Sequence, residues 1–99
     1  MTTLGDIATK VRSKNAGPFW LTVDIFCGTE RAFQDISQGL QTSEVARIFQ
    51  IEPTNLKRFD IPDLAVIKLS MPRPQVQGTA TDRDMHGASY ANLLVEMPI

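Results

Sequence analysis

Apolar positions near the start of the chain recur at the spacing of an amphipathic helix, namely Leu4, Ile7, Ala8 and Val11. Thr3 stands three residues before Asp6, a spacing typical of a capping box at a helix start. The polar stretch that follows ends in a Gly-Pro pair, which breaks helices. We therefore predict a short helix that ends near Arg12 or Ser13, followed by a polar loop.

Two later segments alternate between apolar and other residues, as half-buried strands do. In residues 19–26 one face carries Phe19, Leu21, Val23 and Ile25. In residues 64–71 one face carries Ala65, Ile67, Leu69 and Met71. Trp20 and Phe26 lie on the second face of the first strand, which suggests that another element or a partner covers it. Asp24 shares that face, and Lys68 on a neighbouring strand is one possible partner for its charge.

The remaining pattern predicts two more helices and two more strands. One helix follows Gly28 and Thr29, with Ala32, Phe33, Ile36 and Leu40 on one stripe. Another is capped by Thr42 or Ser43 and stops before Pro53. Residues 56–60 are predicted to be a short strand. Residues 75–87 are predicted to be a long polar loop, and residues 91–97 a final strand, although 89–94 could begin as a helical turn.

Four strands and three helices in mixed order predict a single α+β domain over residues 1–99, with helices on one face of a mostly antiparallel sheet. A chain of this length has enough residues for one core and too few for two. Cys27 is its only cysteine, so no disulfide can form within the chain. No apolar run approaches the ~20 residues that span a bilayer, and no secretory signal is recognised, so a cytoplasmic location without membrane contact is expected.

The charge balance bears on the partners that the chain can bind. Ten basic and 11 acidic residues give a formal net charge of −1. A general nucleic-acid binder needs a basic stripe to displace counterions from phosphates, so we predict no nucleic-acid partner. Binding a small anion needs only two or three well-placed donors, and the balance does not oppose it.

The first candidate site is the predicted polar loop before Gly17, with Arg12, Ser13, Lys14 and Asn15 as substrate-binding residues. Two cations, a hydroxyl and an amide can hold a carboxylate or phosphate through charge-assisted hydrogen bonds, and a glycine lets the ligand approach the backbone. The alternative is a solvated helix end, where the two cations interact with the helix dipole.

Two further candidates lie near the C-terminal loop. Arg73 stands between two prolines, and its guanidinium fork suits a carboxylate; otherwise it is an exposed cation on a turn. Asp82, Asp84 and His86 share one face if the segment is extended. We assign His86 and Asp84 to acid/base catalysis and Asp82 to substrate binding, and assign no metal. The alternative is an acidic loop whose carboxylates cap turns or pair with arginines.

The stretches RSKNAGPF, DIPDLAVIKLSMPRPQVQG and DRDMHGASYANLLVEM resemble the family called domain of unknown function 4387. More distantly, the opening LGDIA, the central RFDIPDL and the terminal LLVEM are similar to the small domain found with acyclic-terpene-utilisation (AtuA-type) proteins. That similarity implies a ferredoxin-like sandwich. It also implies a large AtuA-type protein as partner.

Three functions remain open. The first is an accessory subunit of a hetero-oligomeric enzyme that docks on a large AtuA-type subunit and contributes polar loops to a site for a carboxylate or acyl-thioester substrate. The second is a self-standing enzyme with His86 as acid/base at a homo-oligomer interface. The third is a regulatory domain that binds a small anion without chemistry. The sequence implies no particular cofactor.

Overall fold

The computed structural model describes residues 2–17, 19–72 and 91–99. Their helices and strands, in chain order, are α1 (Leu4–Ile7), β1 (Lys10–Asn15), β2 (Trp20–Phe26), α2 (Glu30–Gly39), α3 (Thr42–Phe49), β3 (Lys57–Ile61), β4 (Val66–Pro72) and α4 (Ala91–Val95). Short 3-10 turns precede β3 and β4, at Pro53–Asn55 and Pro62–Leu64. Among the described helices, none is long and apolar enough to cross a membrane.

The four strands form one sheet in the order β1-β2-β4-β3, and every neighbouring pair is antiparallel. Because β2 and β3 both run antiparallel to β4, they run parallel to each other with β4 between them. The helices α2 and α3 connect them, which makes a split β-α-β unit. The predicted α+β class is confirmed, and the arrangement is compatible with a ferredoxin-like sandwich.

The core lies on one face of the sheet. Its central strands contribute alternate residues that are fully buried: Leu21, Val23, Ile25, Ile67, Leu69 and Met71. All four described helices add side chains to the same cluster, among them Leu4, Ile36, Val45 and Leu94. Each large apolar side chain buried in this way stabilises the fold by roughly 1.5–3 kcal/mol. The described helices therefore cover one face of the sheet and leave the other without a helix.

The middle of the chain follows its sequence pattern closely. The alternation in residues 19–26 and 64–71 produces β2 and β4, and the stripe after Thr29 produces α2. The Thr29 hydroxyl accepts a hydrogen bond from the Ala32 N–H and caps that helix. The bounds predicted for these elements and for α3 and β3 are confirmed to within a few residues. The predicted cap of α3 at Thr42 or Ser43 is wrong, because the N-cap residue is Gln41 and its side chain makes no capping hydrogen bond.

The predicted first helix, expected to end near Arg12 or Ser13, is wrong beyond Ile7. The capping box of Thr3 and Asp6 is present, but α1 has only four residues and the chain turns into β1 at Lys10. Val11 satisfies a helical spacing and a strand alternation equally well. Pairing of β1 with β2 decides between them, because a strand gains a full ladder of hydrogen bonds there.

The predicted final strand over residues 91–97 is also wrong. Residues 91–95 form α4, with Ala91 and Leu94 buried and Leu93 exposed, so the alternative of a helical turn in this stretch describes it better. The Ser13 hydroxyl, 78 residues away in sequence, accepts a hydrogen bond from the Ala91 N–H at 2.8 Å. This contact satisfies one of the N–H groups that a helix start leaves unpaired, and local sequence gives no sign of it.

A half-buried arginine holds the edge strand β3 to the helical layer. Arg58 donates hydrogen bonds to the carbonyl oxygens of Ser37, at 2.8 Å, and Leu40 near the end of α2. Its Nε also donates to Asp60 at 2.8 Å, and the Ser37 hydroxyl donates to the same carboxylate at 2.6 Å. The guanidinium thus satisfies carbonyls that the helix end leaves unpaired, where the helix dipole favours a cation.

Replacing Arg58 by Met should lower the free energy of unfolding by about 2–4 kcal/mol, because partly buried carbonyls and the Asp60 carboxylate lose their donors. The matched control is Arg47→Met. Arg47 pairs with Glu44 on the exposed surface of α3, and its loss should cost less than about 1 kcal/mol. Urea denaturation measures both; equal effects would show that Arg58 does not hold the layers together.

The free energy of unfolding should depend on pH in part through the ionisation of Asp60. Burial raises the pKa of this carboxyl, but hydrogen bonds from Arg58 and Ser37 and the charge of Arg58 outweigh that effect and lower it. A lowered folded-state pKa gives stability that is present above the ordinary carboxyl pKa of about 4 and is lost as pH falls through the folded-state value. Between pH 5 and 2, Asp60→Asn should therefore lose less stability than the wild type in acid denaturation. Parallel curves would contradict this assignment.

Candidate functional site

The second face of the sheet, which we call the open sheet face, carries no described helix. The register places the following strand residues on it: Lys10, Arg12, Lys14, Trp20, Thr22, Asp24, Phe26, Lys57, Phe59, Ile61, Val66, Lys68 and Ser70. These side chains alternate with the core residues along each strand. The open sheet face is therefore defined by the same alternation that builds the core.

Charge is concentrated on the open sheet face. Five of the ten basic residues of the chain lie there: Lys10, Arg12, Lys14, Lys57 and Lys68. Asp24 is the only acidic residue in the same set. The described strand residues of this face therefore carry a formal charge of +4, although the chain as a whole carries −1. Such a field attracts anionic ligands or acidic surfaces.

Aromatic side chains accompany these cations. Trp20 is 40% exposed at one end of β2, and Phe59 is 52% exposed on the edge strand β3. The Lys57 ammonium lies 5.9 Å from the centroid of the Trp20 ring, within the range of a cation–π contact. Large exposed aromatics beside cations are typical of binding surfaces, where aromatic residues and arginine are enriched.

A small cleft of about 130 Å³ opens between β1 and β2 and is lined by Arg12, Ser13, Lys14, Asp24 and Phe26. The register sets Arg12 directly opposite Asp24 across the two strands. Three of the predicted substrate-binding residues, Arg12, Ser13 and Lys14, thus border this cleft, and the outward side chains of Arg12 and Lys14 lie there with a carboxylate and an aromatic ring. The cleft offers both positive and negative groups to a ligand.

Asp24 is in the middle of the sheet, between Arg12 on one side and Lys68 on the other. The predicted neighbour Lys68 is indeed directly opposite, yet neither cation forms an ion pair with Asp24 within 4.0 Å in the described part of the chain. The adjacent Thr22 hydroxyl is buried and has no hydrogen-bond partner. Unpaired polar groups of this kind cost free energy unless something satisfies them.

The other two residues of the predicted loop have a different position. Arg12 to Asn15 is part of β1 rather than a loop, so Ser13 and Asn15 face the core side while Arg12 and Lys14 face outward. Ser13 is buried and its hydroxyl holds the start of α4. Gly17, with φ of +86°, serves the hairpin between β1 and β2, a conformation that favours glycine.

The remaining predicted site residues, Arg73, Asp82, Asp84 and His86, and the predicted loop 75–87, lie outside the described residues. Their roles stay predictions. Within the ranges that the structure does describe, no three His, Cys, Asp or Glu side chains cluster to hold a metal ion. Cys27 is buried, and burial together with the charge of Asp60 raises the pKa of its thiol. Its side chain belongs to the hydrophobic core cluster, which accounts for its burial.

A wider depression of the surface lies elsewhere, beside the start of α2 and the turn before β4. It measures about 600 Å³, and its charged lining residues are Glu30 and Asp63. With two carboxylates and no basic side chain among its described lining residues, it does not suit an anionic ligand. We therefore place the candidate site in the smaller cleft between β1 and β2.

Sequence reasoning missed the open sheet face as a unit. Lys10, Arg12 and Lys14 recur at every second position, which is a strand signal, but the competing helical spacing of Val11 hid it. Lys57, Phe59 and Lys68 come from distant parts of the chain and join the others only through sheet register. The net charge of the whole chain gives no sign of such a surface, because acidic residues elsewhere balance its cations.

Comparison with known families gives one result. Residues 4–98 match the model of the family described as domain of unknown function (DUF4387), and the chain belongs to that family. No curated protein and no solved structure was found to match it.

Ser13→Ala should separate structural from ligand-binding residues in the RSKN segment. Loss of the hydroxyl that caps α4 should lower the free energy of unfolding by about 1–2 kcal/mol. Lys14→Gln, one position away on the open sheet face, should change it by less than about 0.5 kcal/mol. Thermal and urea unfolding check both. Equal stabilities of the two variants would mean that the Ser13 contact is not a cap.

Proposed function

We propose that this protein is a small accessory subunit of a hetero-oligomeric metabolic enzyme. In this proposal the open sheet face docks on a large AtuA-type subunit, and the basic residues at its edge border a site for a carboxylate or acyl-thioester substrate. The larger subunit carries the main binding cleft. The resemblance of the LGDIA, RFDIPDL and LLVEM stretches to AtuA-type proteins supports the choice of partner.

The observation that carries the proposal is the composition of the open sheet face. Trp20 and Phe59 expose large aromatic surfaces there, and five cations surround them with a single carboxylate. A face of this kind complements an acidic surface with apolar pockets, since charge complementarity guides encounter and buried aromatics supply most of the affinity. Among the described residues, the helices cover the core face, and the open sheet face is left for a partner.

The position of Arg12 and Lys14 links docking to substrate binding. Both lie on β1, one of the two edge strands of the described sheet, with their side chains on the open sheet face. A partner that covers the sheet would bring its own residues close to this cleft. In this arrangement Arg12 and Lys14 would neutralise the substrate's negative charge, and Arg73, Asp82, Asp84 and His86 keep their predicted roles in the same site.

A second candidate function is a small-anion-binding regulatory domain. The cleft between β1 and β2 favours it, because this one chain supplies both the cations and the carboxylate that line it. The self-standing enzyme with His86 as acid/base stays a prediction, since nothing in the described residues bears on His86.

Co-expression with an AtuA-type protein from the same host tests the docking proposal. Native mass spectrometry should show a fixed-ratio complex, and replacing Trp20 and Phe59 by Ser should weaken it by at least about 30-fold, since hot-spot aromatics each contribute about 2 kcal/mol or more. Raising the salt concentration should also weaken it.

The matched control is Leu64→Ser, because Leu64 is a 69% exposed apolar residue that lies off the open sheet face. Its complex should form like the wild type's. Thermal unfolding confirms that the double variant is folded, and the charge reversal Lys68→Glu provides a second disruption of the face. An 11 kDa chain that stays alone beside its candidate partner would refute the docking proposal.

A further inference from the structure

We propose that the cleft between β1 and β2 binds the head group of a small carboxylic acid that carries a hydrogen-bond donor, a hydroxyl or an ammonium, next to its carboxylate. This inference deepens the proposed function and rests on it for the biological role of the ligand. The binding itself needs only residues of this chain. The carboxylate would lie against Arg12 and Lys14, and the donor would point to Asp24.

The two cations supply the carboxylate-binding half of the cleft. Arg12 and Lys14 are two positions apart on one strand, about 6.5–7 Å along it, and point to the same side. Both are exposed, and neither forms an ion pair with a carboxylate in the part of the chain that the structure describes. The planar fork of Arg12 matches a carboxylate in bidentate geometry, and Lys14 adds a second positive charge.

Asp24 makes the cleft selective. It lines the same cleft as the two cations, is partly shielded from solvent, and receives no hydrogen bond from a described residue. A ligand that presents only negative charge would be repelled by this carboxylate. A hydroxyl or ammonium beside the ligand's carboxylate would instead donate to it, and hydrogen bonds to a charged acceptor are among the stronger ones.

The size of the cleft limits how much of the ligand it can hold. A volume of about 130 Å³ corresponds to about four water molecules at 30 Å³ each. A carboxylate, one carbon and one donor atom amount to about five heavy atoms and fit this space. Phe26 closes one side with an apolar ring, so any longer tail would leave along the open sheet face, toward the region assigned to the partner.

The isolated protein allows a direct test with three small probes of matched size. Glycolate and glycine carry the donor, whereas acetate lacks it. In titrations followed by ¹⁵N–¹H correlation spectra, glycolate or glycine should give saturable shifts centred on residues 12–14 and 24. Acetate should bind roughly tenfold more weakly, because it cannot donate to Asp24.

Three variants assign the roles. Arg12→Gln should weaken binding of every probe, whereas Lys10→Gln removes the same charge from the same face and should leave binding unchanged. Asp24→Asn should abolish the preference for glycolate and glycine over acetate. Correlation spectra of each variant confirm the fold before titration.

Several results would overturn the proposal. Chemical-shift changes that spread over all the cations without saturating would show general charge attraction. Equal losses of probe affinity in Arg12→Gln and Lys10→Gln would show the same. Inorganic phosphate binding as tightly as glycolate would show an unselective anion site. Because the titrations use the isolated protein, probe binding without a larger complex would refute only the docking proposal. A complex without probe binding would refute only the present one.

Discussion

The fold depends on one constraint: β2 and β4 bury one side only. Their alternate residues form the floor of the core, and every described helix packs on that floor. Because the described helices all pack on one face, side chains on the second face must be stable in contact with water or with a binding partner. The cations and exposed aromatic residues on the open sheet face are of that kind. The core face and the open sheet face are thus two consequences of the same two-residue repeat.

Much of this architecture could be predicted from local patterns. The elements from β2 to β4 carry unambiguous periodicity and caps such as Thr29, and they formed as expected. The two ends of the chain did not, because their sequences permit more than one structure. Val11 fits a helix or a strand, and the 91–97 segment has apolar residues at both spacings. Long-range contacts decide there: pairing with β2 for the first, the Ser13 hydroxyl for the second.

The candidate site was predictable in its chemistry but not in its geometry. The RSKN segment was recognised for its cations and polar groups, yet its strand conformation divides them between two faces and gives Ser13 a structural role. Asp24 and Phe26 join Arg12 and Lys14 only because β1 pairs with β2 in one particular register. Sequence gives residue types at a site, whereas register selects which of them meet.

The hydrogen bond between Ser13 and Ala91 also couples two distant regions. Ser13 lies between Arg12 and Lys14 on β1, so the residue that holds α4 is flanked by the two that line the cleft. The strand itself stays paired with β2, so the Ser13 contact fixes only where α4 begins relative to the cleft. If the proposed ligand holds β1 more rigidly, reciprocity requires that it also favour the packed state of α4 and the protection of the α4 amides from hydrogen exchange. The α4 helix would then report, from the core side, on a ligand bound at the opposite face of the sheet.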